Sequence, residues 1–223
     1  MRQVRILVSL LFAALSLAAC TYDRGEGPPQ IHFAEFRVAP PDKNSVEVCH
    51  AYTCAEKTTF YFRTKDIKEI AAVMRKTKKG DTPFQERRAI AYAIAKMETD
   101  VGNKIGIKDV AGMQFTASGD PSQQDCVDEA TNTTSYLLVL QSNGLLKYHT
   151  VGIPMTKGDL LKATLQGDPV KYWPHWTAVI QEKKTGQRFA VDSWIYVQGE
   201  NPAVVEVEKW YIKDLNNLPK ATN

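Results

Sequence analysis

An α+β fold, with N-terminal helices packed on an antiparallel sheet, is predicted by three features of this 223-residue sequence. Two punctuated amphipathic helices are read between Asp66 and Gly102. A third follows Ser122, and strand-like segments then fill the last third of the chain. With 43% hydrophobic and 24% charged residues, the chain is suited to a sizeable core. The formal charge of +3 includes Arg2 and Arg5, and removing those two leaves nearly none. That balance excludes an electrostatic case for nucleic-acid binding. Collagen-like, coiled-coil, polytopic-membrane and wholly disordered classes are excluded by composition.

The first residues read as an export signal. Met1 to Arg5 is a short basic segment, and Ile6 to Leu17 is apolar apart from Ser9 and Ser16. At about 1.5 Å per residue, that run spans only half a bilayer core. The segment ends in Leu17-Ala18-Ala19-Cys20, which resembles a bacterial lipobox. Residues 1–19 are then the lipoprotein signal peptide, and Cys20 is diacylated as the mature N-terminus. Thr21 after it, in place of aspartate, points to the outer membrane, on its periplasmic face, in a Gram-negative cell. The polar, Gly- and Pro-containing stretch 20–30 is a tether to a single domain over 31–223.

Ile31 to Val38 mixes β-branched and aromatic residues and is read as an edge strand before Pro40-Pro41. Val46 to Cys54 is compact, and Thr58 to Arg63 is a second strand. Asp66 caps the first helix with Glu69 completing a capping box, and the helix closes before Gly80. Thr82-Pro83-Phe84-Gln85 starts the second, whose seam of Ile90, Ile94, Met97 and Val101 ends near Gly102. Gly106 to Ser122 is a loop. Ser122 with Asp125 opens the third helix, which runs to Gly144. Lys147 to Ile153, Trp176 to Gln181, Arg188 to Tyr196 and Val204 to Ile212 are four strands. The middle two are joined by the turn Lys183-Lys184-Thr185-Gly186.

Each of the four cysteines has its own setting. Cys49 and Cys54 are close enough to close a small loop by a disulfide in an oxidising compartment. A zinc site of Cys49, His50, Cys54 and His32 is the alternative, although its spacing fits no common finger. No other cofactor or metal motif is read. With Cys20 lipidated and that pair closed, Cys126 is left over. It stands near the start of the third helix, where free N–H groups favour a thiolate. Thiolate chemistry also needs a base and a group to orient it. His175 begins a strand, and Asp192 is a charge embedded in an apolar one. If Glu182 pairs with Gln187 in the hairpin, Thr177 faces Asp192, and His175 lies diagonal to Asp192 on the same face.

These residues resemble the bacterial transglutaminase-like cysteine peptidase family, whose papain-like triad runs Cys, His, Asp. The family's Gly-Asp-Cys-Glu-Asp-Tyr-Ala segment stands here as Gln124-Asp125-Cys126-Val127-Asp128-Glu129-Ala130. Its histidine motif is matched by His175 to Ile180, and its aspartate motif by Phe189 to Asp192. The resemblance covers roughly residues 82–197. It implies a transglutaminase-like fold with Cys126 as nucleophile, His175 as general base and acid, and Asp192 as orienting group. The chemistry implied is acyl transfer through a thioester, on amide bonds of envelope proteins or peptides, by hydrolysis or transfer to an amine. A non-catalytic lipoprotein using the same fold for binding or assembly is the other reading. The oxyanion hole would use the Cys126 N–H and one further donor, with Gln123 and Gln124 as candidates. Gln124 replaces the family glycine and Glu129 its tyrosine. Asp125, Asp128 and Glu129 set negative charge around the thiol. Trp173, Trp176 and Trp194 are candidate walls of the cleft.

Overall fold

The computed structural model describes residues 27–112, 119–158 and 174–212, together with Leu165 and Leu218. The expected signal peptide, Cys20 and Trp173 lie outside the described residues. The described part is α+β, as the sequence predicts.

Where an edge strand is expected, the chain forms a short helix, α1 (Gln30–Glu35). Pro29 enters it with helical angles (φ −59°, ψ −17°), and Phe33 is buried against Val127 and the Cys49–Cys54 pair. Tertiary burial overrides the β-branched and aromatic composition. Strands β1 (Ser45–His50) and β2 (Glu56–Tyr61) pair antiparallel as a separate two-stranded sheet. Helix α2 (Thr64–Thr77) begins two residues before the expected cap. Asp66 stands at the third helical position, and its carboxylate accepts from the Arg63 N–H at 2.8 Å. Helix α3 (Pro83–Ile105) starts as read, with the Gln85 N–H donating to the Thr82 hydroxyl at 3.2 Å. It runs a turn beyond Gly102 to Gly106, whose φ of 85° closes it.

Helix α4 (Cys126–Ser142) is the centre of the molecule, with fourteen of its seventeen residues buried. It lies between the small sheet and a five-stranded antiparallel sheet of β3 (His149–Val151), β4 (Met155–Lys157), β5 (His175–Glu182), β6 (Arg188–Asp192) and β7 (Ala203–Glu206). Strands β3 and β4 share one edge of β5, and β6 and β7 continue from the other. The core joins Ile90, Ile94 and Met97 of α3, Tyr136, Leu137 and Leu140 of α4, and Ile180, Phe189 and Val191 of the sheet. Each such side chain contributes about 1.5–3 kcal/mol on burial.

The strand expected over Val204 to Ile212 divides. It pairs with β6 only as far as Glu206 opposite Phe189, one residue from the start of β6. With no partner strand left, the chain turns into helix α5 (Val207–Ile212). Among the described residues, no helix is long and apolar enough to cross a membrane.

Candidate active site

The hairpin register delivers a histidine–aspartate pair. Glu182 N–H donates to the Gln187 carbonyl at 2.8 Å, and the ladder runs through Gln181–Arg188 to Ala178–Val191. One step further, Thr177 faces Asp192, with His175 diagonal to it. His175 Nε2 and Asp192 Oδ2 are 2.8 Å apart, both side chains essentially without solvent exposure. A carboxylate only accepts, so the ring proton sits on Nε2, and Nδ1 is the basic nitrogen. Nδ1 has no hydrogen-bond partner among the described residues. The Trp194 ring lies 4.8 Å from the imidazole at 34°.

Cys126 is the first residue of α4. Asp125, not Ser122, is its N-cap: Oδ1 accepts from the N–H groups of Val127 (3.0 Å) and Asp128 (2.9 Å). Asp128 returns the bond, its Oδ2 accepting from the Asp125 N–H at 3.1 Å. Ser122 is taken by a turn instead, its N–H donating to Asp120 Oδ1 at 2.8 Å. The two ends of the capping box are satisfied around Cys126, and among the described residues no carboxylate accepts from the Cys126 N–H.

The Cys126 sulfur lies between the two peptide groups that flank His175. It is 3.8 Å from the Pro174 carbonyl oxygen and accepts from the Trp176 N–H. Cys126 is 7% exposed. Burial, opposed by that N–H and reinforced by the charges of Asp125 and Asp192, pushes the thiol up to about 12. At neutral pH it is therefore a protonated thiol at rest.

Two supports of this site were not anticipated. Trp210 of α5 donates its Nε1–H to Asp192 Oδ2 at 2.7 Å, so that oxygen holds both His175 and Trp210. Lys157, opposite His175 across the β4–β5 ladder, donates to the Trp210 carbonyl at 2.5 Å and lies 4.3 Å from its ring centre. No sequence signal marked Trp210, because its segment read as strand. The second support is a group of buried acids. Ser193 donates to Glu129 Oε2 at 2.9 Å and also bonds Glu98. Glu98 accepts from the Gly199 N–H at 3.1 Å, and Asp109 accepts from the Gln124 N–H at 2.9 Å. Burial is the largest cause raising Glu98 to about 8 and Asp109 to about 7, and it holds Glu129 well above the usual range. A sequence signal existed for Glu98: it stands in the apolar seam of α3 beside Met97.

Each glutamine candidate has its side-chain amide engaged through one bond: Gln123 Nε2 donates to the Lys108 carbonyl at 2.8 Å, and Gln124 Nε2 to the Cys49 carbonyl at 2.8 Å. The first ties the helix approach to the loop after α3, and the second to strand β1. Cys49 and Cys54 form a disulfide, which removes the zinc alternative: the sulfurs are bonded to each other, and His32 bonds the Thr131 hydroxyl at 2.7 Å. Asp128 approaches the two sulfurs, but a disulfide is no thiolate ligand. Trp176 packs with α1, 5.2 Å from the His32 ring, so of the two candidate tryptophans among the described residues Trp194 is the one stacked on the imidazole. Gly112 makes room for it. A Cβ there would meet the Trp194 ring at 2.5 Å, and the Gly112 N–H donates to the Trp194 carbonyl at 2.7 Å.

No family model matches the chain, and no curated protein or solved structure matches it.

Proposed function

We propose that this chain is a lipid-anchored protein of the bacterial envelope with a transglutaminase-like fold, and that it acts on amide bonds of envelope proteins or peptides through a thioester on Cys126. The observation that carries the reading is the position of the Cys126 sulfur against the peptide groups of Pro174 and Trp176 on either side of His175, whose Nε2 is held by Asp192 and whose buried Nδ1 bonds neither the thiol nor, among the described residues, any other group.

The chemistry follows from those protonation states. The resting thiol gives its proton to His175 Nδ1 as the sulfur attacks the substrate carbonyl carbon. Asp192 accepts from the Nε2–H and stabilises the imidazolium that forms. Negative charge develops on the carbonyl oxygen, and the Cys126 N–H at the helix start, which bonds its own sulfur at rest, is a donor for it. When the C–N bond breaks, His175 returns the proton to the departing amine. The thioester is then attacked by water, giving hydrolysis, or by an amine, giving transfer, with His175 taking and returning the proton again. The lipid on Cys20 would restrict the enzyme to substrates at the membrane surface.

The burial of the Cys126 sulfur supports the second reading, a binding or assembly module in which Cys126 and His175 only pack. Acylation separates the two. The detergent-solubilised full chain is treated with p-nitrophenyl acetate, and acetyl transfer is located by peptide mass. A catalytic site gives a stoichiometric acetyl group on Cys126. His175→Ala should slow it by about 100-fold or more, within the range for loss of a general base. Acetylation at the same rate in both proteins, or none on Cys126, would leave only the binding reading.

A further inference from the structure

Four consecutive residues without a glycine among them, Ala51, Tyr52, Thr53 and Cys54, have φ values of 64°, 68°, 57° and 55°. Each position is unfavourable for an L side chain, and single left-handed residues are the usual limit. The turn is closed by the Cys49–Cys54 disulfide, and its N–H groups converge on the start of α4. Thr53 donates both its N–H and its hydroxyl to Asp125 Oδ2, each at 3.0 Å. The Cys54 N–H donates to Asp128 Oδ1 at 2.6 Å, and the Ala51 N–H to the Gln123 carbonyl at 2.9 Å. Asp125 and Asp128 are the two halves of the capping box around Cys126. Each carboxylate thus has one oxygen on the helix and the other on the turn.

We infer that the disulfide-closed left-handed turn Ala51–Cys54 is a positioning device for the nucleophile: it fixes the two capping carboxylates and so the placement of the Cys126 sulfur against His175. This rests on the catalytic reading of Cys126. The turn acts in two ways. It locks the peptide that carries Cys126 to a second element, so the helix start cannot fray away from the β5 backbone. Its Thr53 donors also offset the charge of Asp125, which would otherwise oppose formation of the attacking thiolate. The disulfide is what keeps an L-residue turn in this form, so its loss acts on Cys126 without touching any of the three triad residues.

The test compares the full chain with Cys49→Ser/Cys54→Ser, reading acetylation of Cys126 by p-nitrophenyl acetate and hydrogen exchange of the Val127 and Asp128 amides. The double variant should acetylate between about 10- and 100-fold more slowly, the scale of a displacement of about 1 Å, and both amides should exchange faster. Adding Ala51→Gly and Tyr52→Gly to it should restore part of both, because glycine adopts positive φ without a steric cost. If the double variant does not fold, Thr53→Pro breaks the same turn at an exposed position with the disulfide intact, and the same two losses are expected. A folded variant with wild-type acetylation and protection overturns the inference, as does faster exchange with unchanged acetylation. If acetylation of the wild-type chain is itself indifferent to His175, the catalytic reading falls. Unchanged amide protection in the variants overturns the turn's role independently of that.

Discussion

One oxygen of Asp192 accepts from two partners, His175 Nε2 and Trp210 Nε1. The second of these holds the carboxylate in place while the first uses it, and Trp210 is itself fully buried. Trp210→Phe keeps an aromatic ring and deletes the donor, together with part of the buried indole's volume. A hydrogen bond to a charged group contributes about 1.5–3 kcal/mol, so acylation of Cys126 should slow by roughly tenfold, with a changed pH profile. An unchanged profile in a folded variant would show that Asp192 needs no second donor. The His175–Asp192 pairing was legible in the sequence as one register that the Lys183–Gly186 turn permits, and the hairpin adopts that register. Trp210 was not, since its partnership depends on β7 ending at Glu206 and the chain turning back as a helix.

At the scale of elements, α4 decides most. It carries Cys126 at its first residue and packs on both sheets, so its stability and the geometry of the site are one problem. Asp125→Ala removes the acceptor for two helix amides and should cost about 0.5–2 kcal/mol in urea unfolding. Leu137→Ala, in the middle of the core, should cost about 2–5 kcal/mol. A Leu137→Ala cost below that of Asp125→Ala would contradict the central place given to this helix. Helix starts were readable where one signal stood alone, as at Thr82-Pro83. Before α4 the expected cap was Ser122 with Asp125, and the structure instead caps the helix three residues later with Asp125 and Asp128. Helical periodicity singles out no one face for Cys126, because α4 is buried on nearly every side.

Across the whole molecule, the acids buried beneath α4 link protonation to folding. Glu98 is raised to about 8, and Asp109 and Asp128 to about 7, in each case chiefly by burial. A carboxyl raised on folding is protonated in the native state while it is already ionised in the unfolded chain. The folded protein therefore holds more protons between about pH 4 and 8, and stability falls as pH rises through that window. Thermal melts from pH 5.5 to 8.5 should show a declining Tm, and Glu98→Gln should flatten part of the decline. An identical slope in that variant would remove Glu98 from the linkage. This cluster gathers residues from α3, the loop after it and α4, and only Glu98 in its apolar seam hinted at it in sequence. The disulfide turn is likewise a product of the assembled fold: cysteine spacing suggested the bond, while four successive left-handed residues have no signature in Ala-Tyr-Thr-Cys. The central claim, that Cys126, His175 and Asp192 form one catalytic unit across α4, β5 and β6, is tested most directly by a double-mutant cycle on the rate of Cys126 acylation. His175→Ala should cost about 100-fold or more, and adding Asp192→Asn to it should bring no further loss, because Asp192 helps the reaction by orienting the imidazole, while its charge on the thiol only opposes the thiolate. Losses that multiply as for two independent residues would contradict the account.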